Sequence, residues 1–157
     1  MKLTKFIVGA TAMVAFAAYA ESPAPADVQY DDYGAVAESL TGVAGDPVKG
    51  AEIWGDKGLG NCVACHVLTS NEATFQGTVG PSLDGVGDRW EEAELRGIVA
   101  DAKMTFEGSM MPSFYKSSGY IRPGDAYTGK AGAEPLPTLL SAQDIEDVVA
   151  YLMTIKE

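Results

Sequence analysis

An all-α domain with long loops is the fold that this sequence predicts. Three stretches repeat apolar residues at helical spacing behind a capping residue, and none alternates with the period of two that a half-buried strand needs. Glycine and proline crowd the segments between them. The length of 157 residues suits one folded domain.

The elements follow in order. Lys2 and Lys5 precede an apolar run, Phe6 to Ala18, that ends in Ala18-Tyr19-Ala20. This is the pattern of a secretory signal with a small-residue cleavage site, so residues 1–20 are expected to be removed after Ala20; the run is too short for a membrane span. Residues 21–45 are rich in Ala, Pro, Asp, Glu and Gly without a sustained apolar period and are expected to form an extended N-terminal arm. The folded domain is then 46–157.

Asp46 offers an N-cap with Pro47 at the first helical position, and Pro47, Gly50, Ala51 and Trp54 share one face, predicting a helix over about 47–58. A glycine- and proline-punctuated loop is expected over 67–87. Asp88 as cap, with Glu91 three residues on and Leu95, Ile98, Val99 and Ala102 in register, predicts a helix over about 89–103. Residues 115–140 carry seven Gly or Pro positions and read as a long loop. The clearest helix is the last, where Ser141 and Asp144 form a capping box ahead of Ile145, Val148, Val149, Leu152 and Met153. Trp54 and Tyr151 are expected to meet between the first and last helices.

Chemistry concentrates in Cys62-Val63-Ala64-Cys65-His66. This is the attachment pattern of c-type haem: two thiols three positions apart add to the vinyl groups along one porphyrin edge, and the next residue is directed under the iron. A redox dithiol would want a βαβ context, and a tetrahedral zinc site needs more ligands than two Cys and one His supply. One covalently bound haem c is therefore expected on Cys62 and Cys65, with His66 as an axial iron ligand.

His66 is the only histidine, which excludes a second imidazole from this chain. The remaining soft donors after export are Met104, Met110, Met111 and Met153, and a thioether raises the iron's potential relative to imidazole. Met153 lies in the stripe of the last helix and Met104 at the end of the second, so both are expected in the core. Met110 and Met111 remain, and Met111 is preferred because Pro112 steadies its loop. Pro81 is positioned to offer its carbonyl to the far nitrogen of His66, or simply to make a turn. Arg89, Trp90, Tyr115, Tyr120 and Tyr127 are candidates to reach haem propionates.

The formal charge is −11. Removing residues 1–20 takes away two lysines and no acid, leaving 137 residues at −13. Such acidity argues against nucleic acid and against stable association with anionic membranes, and suits a basic or neutral docking partner.

Gly50-Ala51-Glu52-Ile53-Trp54, the Cys62 to His66 motif, Gly80-Pro81-Ser82-Leu83, Met111-Pro112-Ser113-Phe114 and Asp147 to Leu152 resemble class I cytochromes c, in that order, over residues 46–157. Lys57 to Cys62, the Leu68 to Gly80 loop and the Met-Pro-Ser-Phe run are similar to the SoxX subunits of SoxAX cytochromes. The resemblance implies a small class I cytochrome c fold and a periplasmic heterodimer with a SoxA-type cytochrome that oxidatively joins thiosulfate to a cysteine of a SoxYZ-type carrier. It also implies a division of labour within an L-cysteine S-thiosulfotransferase complex. The sulfur chemistry belongs to the partner's haem-ligating cysteine, while this chain passes electrons to an acceptor cytochrome. The family pattern falls on Cys62, Cys65, His66 and Met111.

Two other readings compete. A free periplasmic shuttle would use the acidity to steer docking. A haem peroxidase would want an open iron position and acid/base groups, whereas Met111 is expected to close the site and no second histidine exists.

Overall fold

Asp46 caps the first helix, α1 (Pro47–Gly55), its carboxylate accepting from the backbone N–H of Val48 at 2.9 Å and of Lys49 at 3.4 Å. These coordinates come from a computed structural model that describes residues 21–125 and 128–157. Residues 1–20, expected to be an export signal, and Tyr127 lie outside the described residues. α1 stops three residues before the expected end. Asp56 leaves helical geometry and accepts from Gly58 N–H at 2.7 Å, closing a turn of the kind that Asp favours over continued helix.

The helix expected over 89–103 is two helices, α2 (Val86–Arg89) and α3 (Glu92–Asp101). The break at Trp90 and Glu91 arises because Glu91, not Asp88, starts α3: its backbone N–H reaches the Glu94 carboxylate at 2.8 Å. Asp88 instead accepts from Glu157 N–H at 2.8 Å and pairs with Lys156 at 3.2 Å. Beyond α3 the chain tightens into a 3-10 turn, Ala102–Met104. That change of pitch carries Met104 to the surface, where it is half exposed rather than buried in the core as expected.

The last helix, α4 (Ala142–Met153), has the expected capping box: Ser141 N–H donates to Asp144 at 2.9 Å and Asp144 N–H to the Ser141 hydroxyl at 3.1 Å. Ile145, Val148, Val149 and Leu152 are buried, and Met153 packs against them. α1 crosses α4 at close range. A Cβ on Gly50 would sit 2.0 Å from the Asp147 carbonyl oxygen, so glycine is what lets the two backbones touch. Trp54 fills the core beside this crossing with no exposure, and Tyr151 is partly buried against the same cluster.

α3 also packs on α4, and its contact contains a buried ion pair. Arg96 Nε meets the Glu146 carboxylate at 2.9 Å with both side chains 4% exposed. The segment before α1 is tied to this pair. Leu40 N–H donates to Glu146 at 2.7 Å, and Arg96 donates to the Val36 carbonyl at 2.9 Å. Val28, Val36 and Leu40 thereby join the core, although this stretch holds only one 3-10 turn, Pro25–Asp27. Gly97 in α3 receives the segment: a Cβ there would lie 1.9 Å from the Gly34 carbonyl oxygen.

No strand occurs among the described residues; the 115–140 loop has one isolated bridge, Gly124 to Ala131. No helix among them is long and apolar enough to cross a membrane.

Candidate haem site

After α1 the chain turns at Asn61, held in the left-handed region at φ 48°, and enters a single 3-10 turn, Cys62–Ala64. The backbone N–H groups of Cys65 and His66 both close on the Cys62 carbonyl, at 3.0 and 2.9 Å. One turn thus carries both thiols and delivers the imidazole. The cysteines are free of each other, and burial pushes the Cys62 thiol up to about 12, which keeps it protonated at neutral pH.

The following loop folds back over this turn. Gly77 N–H bonds Val63 O at 2.9 Å, Gly80 N–H bonds Cys65 O at 2.8 Å, and Leu83 N–H bonds Val67 O at 2.8 Å. Gly80 lies flat against the imidazole of His66, where a Cβ would come within 2.4 Å of Cε1. Pro81 does what its place in the sequence suggested, its carbonyl oxygen lying 2.7 Å from His66 Nδ1. A carbonyl only accepts, so this contact puts the proton on Nδ1 and leaves the Nε2 lone pair as the donor for a metal.

Three residues hold this loop in roles that the sequence did not signal. Gln76 accepts from Leu68 N–H at 2.6 Å and returns its amide to Leu68 O at 3.1 Å and Asn71 O at 3.0 Å. Asp84 accepts from the Thr69 N–H and hydroxyl, each at 2.7 Å, and from the Ser82 hydroxyl at 2.9 Å; the Thr69 bonds hold its carboxyl below the ordinary range. Arg89 donates to the carbonyls of Asp84 and Ser82. Single polar residues in a Gly-rich loop have no periodicity to betray them.

Of the propionate candidates, Arg89 is thus spent on that loop. The Tyr115 hydroxyl donates to Pro23 O at 2.8 Å and the Tyr120 hydroxyl to Lys116 O at 3.0 Å, while Trp90 packs edge-on against Phe106 at 5.9 Å. Among the methionines, Met110 is 84% exposed. Met111 is half-buried and packs against the core cluster.

The Cytochrome c family model matches residues 47–156. A chain of the SoxXA crystal structure from P. pantotrophus is 58% identical, over 87% of this chain and 99% of that chain, with a TM-score of 0.83. The chain belongs to the cytochrome c family, in its SoxX branch. Ferric cytochrome c-550 from Paracoccus versutus is 21% identical over 72% of this chain and 99% of that chain, with a TM-score of 0.39. Cytochrome c2 from Paracoccus denitrificans is 21% identical over 71% and 97%, with a TM-score of 0.35. No curated protein sequence matches.

A SoxX-type cytochrome c carries one covalently bound haem c. The residues present fit that group. Two unpaired thiols stand on one turn beside an imidazole whose Nε2 is left as a lone-pair donor, and the imidazole is seated on a glycine that leaves no room for a side chain. No group of three or more His, Cys, Asp and Glu side chains able to hold a bare metal ion occurs among the described residues, so the zinc alternative finds no additional ligands there.

Proposed function

We propose that this chain is the periplasmic electron-transfer subunit of a SoxAX-type heterodimer, its partner a SoxA-type cytochrome, in which thiosulfate is oxidatively conjugated to a cysteine of a SoxYZ-type carrier. The observation that carries the reading is the 58% identity to a chain of a SoxXA complex, extending over 99% of that chain. In this reading the sulfur chemistry is the partner's, and this chain takes electrons and passes them to an acceptor cytochrome.

Cys62 and Cys65 would hold the porphyrin through two thioethers, with His66 and Met111 as the axial iron ligands. When bound, the haem iron supplies a one-electron couple. Pro81 fixes the ring and tautomer of His66 through the 2.7 Å contact to Nδ1, and such partners also raise the basicity of the ligating nitrogen. Gly80 presses on one face of the same ring, so the imidazole has little freedom to tilt. Cys62 is partly buried against the core cluster, which limits the access of water to that side of the attachment turn. Met111, drawn against the core while Met110 points to solvent, would close the remaining position to small ligands.

Purification of the haem-loaded chain from the periplasm tests the assignment. A second cytochrome in equal amount is expected to accompany it. Recovery of the chain alone, reacting with an electron acceptor at a rate that falls steeply with salt, would instead establish a free shuttle.

A further inference from the structure

The segment that carries Met111 is stitched along the end of α3 by one backbone bond and two side-chain bonds. Tyr115 N–H bonds Ala100 O at 2.9 Å, the buried Ser113 donates its hydroxyl to Asp101 at 2.6 Å, and Lys103 Nζ donates to Met111 O at 2.6 Å. The register runs antiparallel, 100 to 115, 101 to 113 and 103 to 111. Asp101 also accepts from Lys103 N–H at 3.2 Å, which holds the lysine's own backbone in the 3-10 turn.

Met111 is the residue on which these bonds converge. Its N–H donates to the Ser109 hydroxyl at 3.2 Å and its carbonyl accepts from Lys103, so side chains hold both polar groups of its backbone. The next residue is Pro112, which has no N–H to add to the ladder and fixes its own φ. A half-exposed loop backbone would ordinarily satisfy these groups with water and move freely. Here a cation and a hydroxyl replace the water.

We propose that Lys103 is a positioning residue for the axial thioether: its ammonium group clamps the Met111 carbonyl and so holds the sulfur of Met111 toward the metal position. The clamp works on the backbone and not on the iron, and it opposes the opening motion by which a methionine ligand is displaced. A charge-assisted bond of this kind is stronger than a neutral one, and a lysine supplies it without occupying the space in which the ligand lies.

The inference rests on Met111 being the ligand, and the two can be separated. In the haem-loaded protein, Lys103→Met should raise the rate at which external imidazole displaces the sulfur ligand of the ferric form by about three- to tenfold, the range expected for losing one hydrogen bond whose charge is screened by solvent. It should also weaken the sulfur-to-iron absorption band, and Lys103→Arg should restore both. Equal imidazole rates and bands in wild type and Lys103→Met would overturn the clamp while Met111→Ala still abolished the band. A band that survives Met111→Ala would overturn both the ligand assignment and the clamp. Because Lys103 is exposed, both Lys103 variants are expected to fold, and their unfolding midpoints serve as the control.

Discussion

Gly50 of α1 meets the main chain of Asp147 in α4 so closely that a methyl group on it would lie 2.0 Å from the Asp147 carbonyl oxygen and 2.7 Å from Tyr151 Cβ. Neither neighbour is the movable tip of a side chain, so relief requires the helices to part. Gly50→Ala is therefore expected to destabilise the protein by about 1–3 kcal/mol despite alanine's better helix propensity. Denaturant unfolding of the two proteins measures this, and an unchanged or raised midpoint would show that the crossing is looser than described.

Arg96 and Glu146 make a second long-range tie. Burial works against the guanidinium charge, but the hydrogen bonds and charges of Glu146 and of Glu92, which also pairs with Arg96, together outweigh it and hold Arg96 above its ordinary range. Arg96→Met would leave Glu146 charged and buried with only Leu40 N–H beside it. A loss of about 3–5 kcal/mol is expected from such an unpaired charge. The double variant Arg96→Met with Glu146→Leu should recover part of that loss. If it is no more stable than Arg96→Met alone, the cost lies in the contacts of Arg96 to Val36 and Glu92 and not in the orphaned carboxylate.

A different tie responds to acid. Asp84 keeps its charge to lower pH than an unfolded aspartate because Thr69 and Ser82 donate to it. A carboxyl with a lowered folded pKa contributes stability that is complete above the ordinary carboxylate range and is lost as pH falls from about 4 through the folded value. Asp84→Asn removes this titration. The variant's unfolding midpoint should therefore decline less than wild type between about pH 6 and pH 3. Parallel declines would show that Asp84 does not contribute to the acid limb.

How much of this was legible in the sequence depends on whether a residue acts through a pattern. The capping box of Ser141 and Asp144, the Asp46 cap and the apolar stripe of α4 are local periodic signals, and all three are present in the structure. The Cys62 to His66 spacing is also local, and Pro81 was readable from its place in Gly80-Pro81. The split at Trp90 was not, because Asp88 is the better cap by type and only its tie to the distant Glu157 takes it away from that role. Gly97 has poor helix propensity for the interior of α3, and only the Gly34 backbone packed against it explains its presence. Arg96, Glu146, Gln76 and Lys103 act through partners far along the chain or across a loop, and nothing local distinguishes them from surface polar residues.

Gly80 carries a sharper prediction for the site. A Cβ there would lie 2.4 Å from Cε1, 2.7 Å from Nδ1 and 2.8 Å from Nε2 of His66, so Gly80→Ala must push the ring away or break its contact with Pro81. The haem-loaded variant is expected to show a shifted Soret band and faster displacement of its axial ligands, because the imidazole loses the support that sets its orientation. Absorption and ligand-binding kinetics identical to wild type would mean that the ring does not rest on Gly80.

The two adjacent methionines give the most direct test of the iron's second axial position. Met110 is 84% exposed, whereas Met111 packs against the core with its N–H on Ser109 and its carbonyl on Lys103. Of the two, Met111 is the one drawn against the core, which is why it is proposed as the ligand. Met111→Ala should abolish the sulfur-to-iron absorption band and lower the reduction potential, since replacing the thioether with water or an external base removes the ligand that raises it. Met110→Ala should leave both nearly unchanged. The reverse pattern would move the ligand by one position.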